Sequence, residues 1–386
     1  RMDKVNDAFT LMCSHCGRRY DLNSKVWRCE CGRPLDVILD VRATEFRGLG
    51  DVRAWDFTMW RYMKLLPIAS SDNIVTLGEG WTPVMVRKLY GVELILKLDY
   101  LNPTGSFKDR GASCLISHLV EIGVDSIIED SSGNAGAAIA AYASVAGIKC
   151  RVFVPASAPE GKKLQIRSYG AELVEVSGDL ARVSEEALKE SEKAYYASHM
   201  WNPFFIEGIK TIAYECVEQM QGSVPDVALA PVGSGGLLLG IYKGYKELVE
   251  LGLIDSIPRM IAIQAQGYTP VYDYMYGSHG SSPPEVILAD GIAVPRPPRL
   301  EQIVKAIKET KGDVVVIDNA EIIRAFKELA KLGFFVEPTS ATALAALWKG
   351  LELRLIEKGE SALLPLTGIG LKAIDKLTQI SDVIFR

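Results

Sequence analysis

Short apolar runs alternate with amphipathic or alanine-rich stretches along most of the chain, and this alternation predicts strands and helices in turn. From residue 126 to residue 194 the pattern predicts three strands, each followed by a helix. The strands are Ser126–Asp130, Ile148–Pro155 and Ala171–Val176, and the helices are Ala135–Ala146, Gly161–Tyr169 and Leu180–Ala194. A repeat of this kind favours a parallel sheet with right-handed crossovers.

A second series of strands and helices follows in residues 226–366. Its predicted strands are Asp226–Ala230, Met260–Gln264, Val314–Ile317 and Ala362–Leu366, and its predicted helices are Leu237–Leu251, Ala320–Leu332 and Ser340–Ile356. Between these elements, residues 267–300 are rich in Gly, Pro and Tyr, and irregular chain of that length is typical of a functional loop. Two such series favour two lobes that face a cleft, where cofactors bind at the carboxyl ends of strands.

The composition is that of a globular protein and excludes several classes of function. The 386 residues are 48% hydrophobic and carry a net charge of −5, which argues against a general nucleic-acid binder. No apolar stretch reaches about 18 residues, so no membrane span is expected. Residues 1–10 are polar and lack the apolar region of a signal peptide. We therefore expect a cytoplasmic enzyme-sized protein.

The seven cysteines form two groups. Three are scattered inside apolar segments and are predicted to be small buried core residues: Cys114, Cys150 and Cys216. The other four follow the pattern CxxC, twelve residues, CxC, with a glycine directly after each pair: Cys13, Cys16, Cys29 and Cys31. Four thiolates suit tetrahedral Zn²⁺ and leave no position open for water, so we expect a stability or docking role. Two disulfides are the alternative, which a cytoplasmic location disfavours.

The predicted fold is therefore α/β, with two three-layer α/β/α lobes around a cleft and a small N-terminal zinc-ribbon-like unit. Residues 1–40 form the zinc-ribbon-like unit with its four cysteines. Residues 41–104 and 201–386 form the larger, cofactor-binding lobe, and residues 105–200 form the smaller lobe.

Three loops stand out because each follows an apolar run and opens a helix. In the loop of residues 102–111, Lys108 lies near a helix start, where the helix dipole and burial disfavour the ammonium form. An uncharged lysine is what a Schiff-base nucleophile requires. In residues 131–136, the amide of Asn134 offers a donor to an anionic oxygen. In residues 231–237, free N–H groups at a helix start form a phosphate cradle.

The spacing of glycines in the third loop decides which phosphate ligand fits. The third glycine of a GxGxxG motif would fall at Leu238, and no acidic residue closes the next strand, so NAD is disfavoured. A Walker A motif also fails, because no Gly-Lys-Ser/Thr follows. The loop suits a single phosphate, and together with Lys108 and Asn134 it suggests pyridoxal 5′-phosphate (PLP).

A resemblance to a known family becomes specific at this point. Seven segments, in the family's order, resemble the threonine synthases within the fold-type II PLP enzymes, the tryptophan synthase β-like group. The segments are Leu77–Pro83, Asn102–Gly111, Ser131–Gly136, Glu207–Thr211, Pro231–Gly236, Glu337–Ala341 and Leu366–Lys372. Some threonine synthases also carry the N-terminal cysteine unit, so the resemblance covers nearly the whole chain.

The resemblance implies a role for each matching residue. It implies that Lys108 is the catalytic residue and holds PLP through a Schiff base, that Asn134 hydrogen-bonds the ring hydroxyl, and that Thr367 faces the pyridine nitrogen. It places the PLP phosphate on Gly233, Ser234, Gly235 and Gly236, and the substrate carboxylate on Ser131 and Ser132 together with Thr104 or Ser106. It also implies a homodimer.

The implied activity is the conversion of O-phospho-L-homoserine and water to L-threonine and phosphate. PLP is the electron sink, and Lys108 moves protons at the reacting carbons. The segment Met200–Ile206 is mostly apolar where threonine synthases commonly place polar or basic residues that hold the substrate phosphate. Cysteate synthase, acting on O-phosphoserine and sulfite, and a serine or threonine dehydratase therefore remain alternatives. A zinc-ribbon binding module on a non-catalytic α/β body is the alternative from another class.

The remaining residues of interest are interpreted as structural. The four histidines show no metal-ligand spacing, and His118 falls on a helical pattern as a core or boundary residue. Arg299 is interpreted as a solvated charge, with a contact to an anion as the alternative. The aromatic cluster of residues 55–62 is predicted to pack against the main body.

Overall fold

The computed structural model describes residues 8–178 and 180–384, with only the backbone described at residue 180. The chain divides into two compact units. Unit 1 contains residues 8–81, 102–104 and 108–211, and unit 2 contains residues 82–101, 105–107 and 212–384. Residues 41–81 and 201–211, which the sequence analysis groups with the larger lobe, cluster with unit 1 in the structure, as does the cysteine unit.

Unit 1 contains two sheets. The first is antiparallel, with order β2-β1-β3, and is built from β1 (Phe9–Cys13), β2 (Arg19–Tyr20) and β3 (Leu35–Leu39). The second is parallel, with order β8-β7-β6-β9, and is built from β6 (Ser126–Glu129), β7 (Lys149–Pro155), β8 (Glu172–Val176) and β9 (Tyr195–Tyr196).

Three helices of unit 1 follow strands as the sequence pattern predicts, and a fourth opens at Lys108, as expected after the loop of residues 102–111. The fifth, Pro203–Ile209, is not among the predicted elements. These helices are α1 (Lys108–Glu121), α2 (Asn134–Ala146), α3 (Glu160–Ser168), α4 (Leu180–Glu190) and α5 (Pro203–Ile209), with short 3₁₀ helices at Leu49–Asp51, Met59–Leu65 and Ser71–Asn73. The alanines of α2 are buried except Ala146, which lets this helix pack closely on α1. It ends at Gly147, whose φ of 68° supplies the left-handed cap.

Unit 2 contains a six-stranded sheet of order β12-β11-β10-β13-β5-β4, in which only the edge pair β4–β5 is antiparallel. Its strands are β4 (Val84–Leu89), β5 (Val92–Lys97), β10 (Val227–Pro231), β11 (Arg259–Ala265), β12 (Asp313–Ile317) and β13 (Ser361–Pro365). All five residues of β10 are buried, as expected for a central parallel strand.

The helices of unit 2 lie between these strands in the chain or follow the last of them. They are α6 (Thr211–Gln219), α7 (Gly236–Glu250), α8 (Pro270–Tyr276), α9 (Leu300–Glu309), α10 (Asn319–Lys331), α11 (Pro338–Glu352), α12 (Ile374–Gln379) and α13 (Ser381–Ile384), with 3₁₀ helices at Asp99–Leu101, Asp290–Ile292 and Gly370–Ala373. The first residue of α6, Thr211, falls in unit 1. A capping box between Asp318 and Glu321 begins α10.

Burial confirms some of the structural interpretations and corrects others. His118 and the three scattered cysteines are buried, as predicted. The prediction for Arg299 is wrong, because the side chain is 2% exposed and donates a hydrogen bond to Gln302. In the aromatic cluster, Trp60 and Tyr62 are buried as expected, whereas the aromatic residues at positions 55 and 57 are exposed. None of the helices within residues 8–178 and 180–384 combines the length and the apolar composition that spanning a bilayer requires.

Candidate active site

Lys108 is the first residue of α1 and is half-buried. The turn before it is fixed by the fully buried carboxylate of Asp109. That carboxylate accepts hydrogen bonds from the backbone N–H of Thr104, at 2.6 Å, and from the Thr104 hydroxyl. The Thr104 carbonyl in turn accepts from Gln165 at 3.2 Å. The predicted lysine is therefore held at a rigid helix start, and the hydroxyl of Thr104 is engaged with Asp109.

A close crossing of two helices sets the surroundings of Lys108. Gly111 of α1 and Gly208 of α5 lie at the contact. A Cβ atom on Gly111 would lie 2.4 Å from the Phe205 ring, and one on Gly208 would lie 1.9 Å from the Arg110 carbonyl oxygen. The Lys108 Nζ atom lies 5.8 Å from the centroid of the Phe205 ring. The backbones thus approach closely because neither position carries a side chain.

The loop between β6 and α2 holds three of the predicted residues, Ser131, Ser132 and Asn134, all half-buried. The Ser131 hydroxyl accepts a hydrogen bond from the Gly133 N–H at 3.2 Å. Gly133 is the N-cap of α2 and makes no side-chain cap bond, so the helix begins on backbone N–H groups that no cap residue covers. This arrangement is suited to binding an anionic oxygen.

The glycine loop of unit 2 has the form of a phosphate cradle. Gly235 is the N-cap of α7, with a φ of 87° and no side-chain cap bond. A Cβ atom there would lie 2.2 Å from the Ile303 Cδ1 atom, and one on Gly233 would lie 2.7 Å from the Gly291 carbonyl oxygen. The 15-residue helix therefore begins without a side-chain cap hydrogen bond to its first backbone N–H groups. These residues fit a single phosphate group, the part of PLP that the sequence assigns to this loop.

Thr367 and Ser106 are both buried in unit 2, and Thr367 follows shortly after the end of β13 in the chain. The Thr367 N–H donates to the Ser340 hydroxyl at 2.9 Å, and its carbonyl accepts from Phe107 at 3.0 Å. Ser106 pairs through its backbone with Gly368. These bonds fix the backbone on either side of the Thr367 side chain.

Each unit therefore carries part of the predicted site. Unit 1 contains Lys108, Asn134, Ser131, Ser132 and Thr104, and unit 2 contains Gly233, Ser234, Gly235, Gly236, Thr367 and Ser106.

The four clustered cysteines lie together, as the spacing predicts. All four Sγ atoms lie within 4.8 Å of one another, with Cys13 and Cys31 at 3.6 Å and Cys16 and Cys29 at 3.5 Å. Tetrahedral Zn–S bonds of about 2.3 Å need such separations, whereas a disulfide needs about 2.05 Å. The glycines that follow the two pairs, at residues 17 and 32, have positive φ and turn the backbone as predicted. The donor set fits a structural zinc ion.

Sequence reasoning missed a buried carboxylate that organises unit 1. Glu79 is 0% exposed and accepts hydrogen bonds from Trp60 Nε1 at 2.9 Å, from the Leu77 N–H at 2.9 Å and from the Tyr142 hydroxyl at 2.7 Å. Burial raises the pKa of Glu79, and the hydrogen bonds from Ser113, from the Leu77 N–H and from the Tyr142 hydroxyl oppose that shift. Glu79 lies in the segment Leu77–Pro83, which resembles the family, and this was the one signal in the sequence that could have drawn attention to it. Only the fold shows that its hydrogen-bond partners are structural residues.

Comparison with known proteins agrees with this geometry. The family model described as pyridoxal-phosphate dependent enzyme matches residues 75–368. The threonine synthase of Methanocaldococcus jannaschii is 36% identical over 96% of this chain and 94% of its own length, and that of Methanosarcina acetivorans is 34% identical over 94% and 92%. Among solved structures, an O-acetylserine dependent cystathionine beta-synthase from Helicobacter pylori superposes with a TM-score of 0.64, at 25% identity, over 77% of this chain and 95% of that one.

The fold and the glycine cradle, together with this match, define the class: the chain is a fold-type II pyridoxal-phosphate dependent enzyme. The resemblance drawn from the motifs is thereby confirmed. Within that class, the chain belongs to the threonine synthase family.

Proposed function

We propose that this chain converts O-phospho-L-homoserine and water to L-threonine and phosphate. The observation that carries the proposal is the half-buried Lys108, held at the start of α1 by the bonds between Asp109 and Thr104. The relatives named threonine synthase, which match nearly the whole chain, supply the substrate class. When bound, PLP supplies an electron sink for the carbanion that forms at the substrate.

The chain's own residues then have distinct tasks. Lys108 holds the cofactor and, once released by the substrate, moves protons at the reacting carbons. The backbone N–H groups at the start of α7 hold the phosphate of PLP, while Asn134 and Thr367 orient the ring. Ser131 and Ser132, beside the start of α2, bind the substrate carboxylate, with Ser106 contributing a hydroxyl. Because the Thr104 hydroxyl is bonded to Asp109, its task is to hold the turn that positions Lys108.

The apolar character of the segment Met200–Ile206, which kept other substrates as alternatives, has a structural explanation. Phe204 stacks on His118, with ring centroids 3.5 Å apart, and Phe205 packs against Gly111. Both phenylalanines are 1% exposed. The apolar character of this stretch therefore comes from the contact between α5 and α1, and it does not by itself argue for a different substrate.

A substrate panel tests the proposed reaction. The purified enzyme loaded with PLP is incubated separately with O-phosphohomoserine, with O-phosphoserine and sulfite, with serine and with threonine. We expect threonine and inorganic phosphate in equal amounts from the first, and no comparable product from the others. Formation of cysteate or of an oxoacid, without threonine, would overturn the proposal in favour of the corresponding enzyme.

We also propose that the four clustered cysteines bind a structural zinc ion. The segment between the two cysteine pairs packs on the rest of unit 1. The Trp27 ring makes edge contacts with Tyr196, at 4.9 Å, and with Trp201, at 5.6 Å, and Lys25 donates to the Gly123 carbonyl at 2.9 Å. A metal that holds this unit in shape therefore stabilises its docking.

Zinc analysis of cysteine variants tests this assignment. We expect about one zinc ion per chain in the purified protein, and its loss in Cys13→Ser together with a fall of about 5 °C in the midpoint of thermal unfolding. Cys150→Ala, which removes a buried thiol outside the cluster, should retain the metal. Two disulfides in a metal-free wild-type protein, found by thiol counting, would contradict the prediction.

Three expectations from the sequence stay predictions: the domain division, the homodimer and the cytoplasmic location. The predicted domains are residues 1–40, residues 105–200, and residues 41–104 together with 201–386. The domain boundaries are checked by limited proteolysis and the dimer by sedimentation.

A further inference from the structure

Helix α5 contacts two parts of unit 1, the cysteine unit (residues 8–40) and the helix that begins with Lys108. It packs against β3 of the cysteine unit and against α1, and all seven of its residues are buried. A helix this short is not stable in isolation, so its position is set by the elements that it contacts. The cysteine unit is one of these elements.

A chain of hydrogen bonds joins the first turn of α5 to the cysteine unit. The side-chain oxygen of Asn202 caps the helix by accepting from the Phe204 N–H at 3.0 Å, and its Nδ2 atom donates to the Tyr195 hydroxyl at 2.8 Å. That hydroxyl donates to the carbonyl of Val26, which lies between the two cysteine pairs, at 3.2 Å. Because Asn202 and Tyr195 are buried, water does not readily replace a bond that is lost.

Ring contacts at both ends of α5 support the same connection. The Trp27 ring of the cysteine unit lies 5.6 Å from that of Trp201, which directly precedes the cap residue. At the other end, the Lys210 Nζ atom lies 5.7 Å from the centroid of the Phe9 ring in β1. This ammonium is paired with Glu207 at 2.6 Å, and both side chains are 0% exposed. The cysteine unit therefore contacts the region before α5 and the residue after it.

The contact between α5 and α1 leaves no space for α5 to shift alone. The Phe205 ring would lie 2.4 Å from a Cβ atom on Gly111, and its centroid is 5.8 Å from the Lys108 Nζ atom. The Phe204 ring stacks on that of His118, with centroids 3.5 Å apart. In a close-packed contact of this kind, a displacement of one helix moves the other.

We infer that the cysteine unit positions the helix of the catalytic lysine through α5, and that Tyr195 and Asn202 are the positioning residues of this connection. They hold α5 where Phe205 lies beside Lys108. Because a displaced lysine bonds to PLP less readily, the hydrogen bond from Tyr195 to Val26 contributes to PLP affinity. The inference rests on the proposed role of Lys108, but not on the identity of the substrate or on whether the four thiolates bind zinc.

Removal of one hydroxyl tests the connection. In Tyr195→Phe the ring remains and only the link between Asn202 and Val26 is lost. We expect PLP to bind about threefold to tenfold more weakly, the range that corresponds to one buried hydrogen bond. The affinity is measured by titration of the absorbance band of the lysine-bound cofactor. In the PLP-free protein, the amides of α5 should also exchange hydrogen faster, as followed by mass spectrometry.

The neighbouring tyrosine provides a matched control. Tyr196 is also buried in β9, but its hydroxyl donates to Asp130 at 2.8 Å and not to the cysteine unit. Tyr196→Phe should lower stability at least as much as Tyr195→Phe, while PLP affinity and exchange in α5 stay at their wild-type values. If the two variants bind PLP equally well, Tyr195 is merely structural and the inference is overturned.

A second variant covers the case in which Tyr195→Phe does not fold. Asn202→Ser keeps a side-chain oxygen that can cap α5 but loses the donor to Tyr195. We expect PLP affinity to fall as in Tyr195→Phe, and wild-type affinity in the folded Asn202→Ser protein would contradict the inference.

These measurements are separate from the proposed reaction, because all of them are made without substrate. Weakened PLP binding in Tyr195→Phe supports the inference even in an enzyme that forms a product other than threonine. Wild-type PLP binding in Tyr195→Phe overturns the inference even in an enzyme that forms threonine.

Discussion

Lys108→Ala is expected to abolish turnover and to remove the covalent link to the cofactor. Lys108 is the lysine at the start of α1, and alanine supplies neither a Schiff base nor a proton acceptor at that place. We expect kcat/KM to fall at least about 10³-fold, because two catalytic tasks are lost together. The visible absorbance band of the lysine-bound cofactor should disappear, and borohydride should no longer attach PLP to the peptide that contains residue 108.

Two comparisons make this result specific. Lys331→Ala removes an exposed lysine at the end of α10, and it should leave activity, absorbance and borohydride labelling unchanged. In the wild-type enzyme, borohydride should place the label on Lys108. A label on any other lysine would reject the assignment of the catalytic residue, and with it the roles of the residues that surround Lys108.

Much of the sheet and helix pattern was predictable because it depends on local sequence. The predicted strand Ser126–Asp130 and helix Ala135–Ala146 differ from β6 and α2 by a single residue at one end. Their apolar periodicity is strong and each is bounded by glycine or polar residues, which are signals within a few positions. Where these signals are weak, the prediction fails. The helix that begins at Leu180 ends at Glu190, before its predicted end at Ala194.

Elements that depend on distant partners were not predicted. Helix α5 is only seven residues long, and its apolar residues are placed by contacts with α1, about ninety residues earlier in the chain. A pattern of phenylalanines cannot indicate that Phe204 will stack on His118. Strand β4 is also not predicted, since it lies at the sheet edge and none of its residues is fully buried.

The candidate site likewise contains residues that local sequence identifies and residues that it does not. The loops that carry Lys108, Asn134 and Gly235 could be found because each pairs small residues with a helix start, a local signature. The structural role of Glu79 could not be found in this way, because its hydrogen-bond donor Tyr142 lies 63 positions away in the sequence. The prediction for Arg299 is wrong for a different reason. A charged residue after a proline-rich stretch usually faces water, whereas this side chain is buried.

Gly208→Ala is expected to be among the most damaging single substitutions in unit 1. The new methyl group would lie 1.9 Å from the Arg110 carbonyl oxygen and 3.0 Å from the Gly111 Cα atom, both of them backbone atoms in the helix that begins with Lys108. Because no flexible side chain can yield, α5 and α1 must separate. We expect the free energy of unfolding to fall by about 3 kcal/mol, the upper part of the usual range for overpacking.

The same separation has a functional consequence that stability alone does not measure. Phe205 moves with α5, so its ring can no longer lie beside Lys108, and the apparent affinity for PLP should weaken even in the folded fraction. Gly50→Ala is the matched control, since a Cβ atom at Gly50 meets no atom within 4 Å, and it should change stability by less than about 0.5 kcal/mol. Urea unfolding and PLP titration of both variants provide the test. If Gly208→Ala matched Gly50→Ala in both measurements, the close crossing of α1 and α5 would not be what holds Lys108 in place.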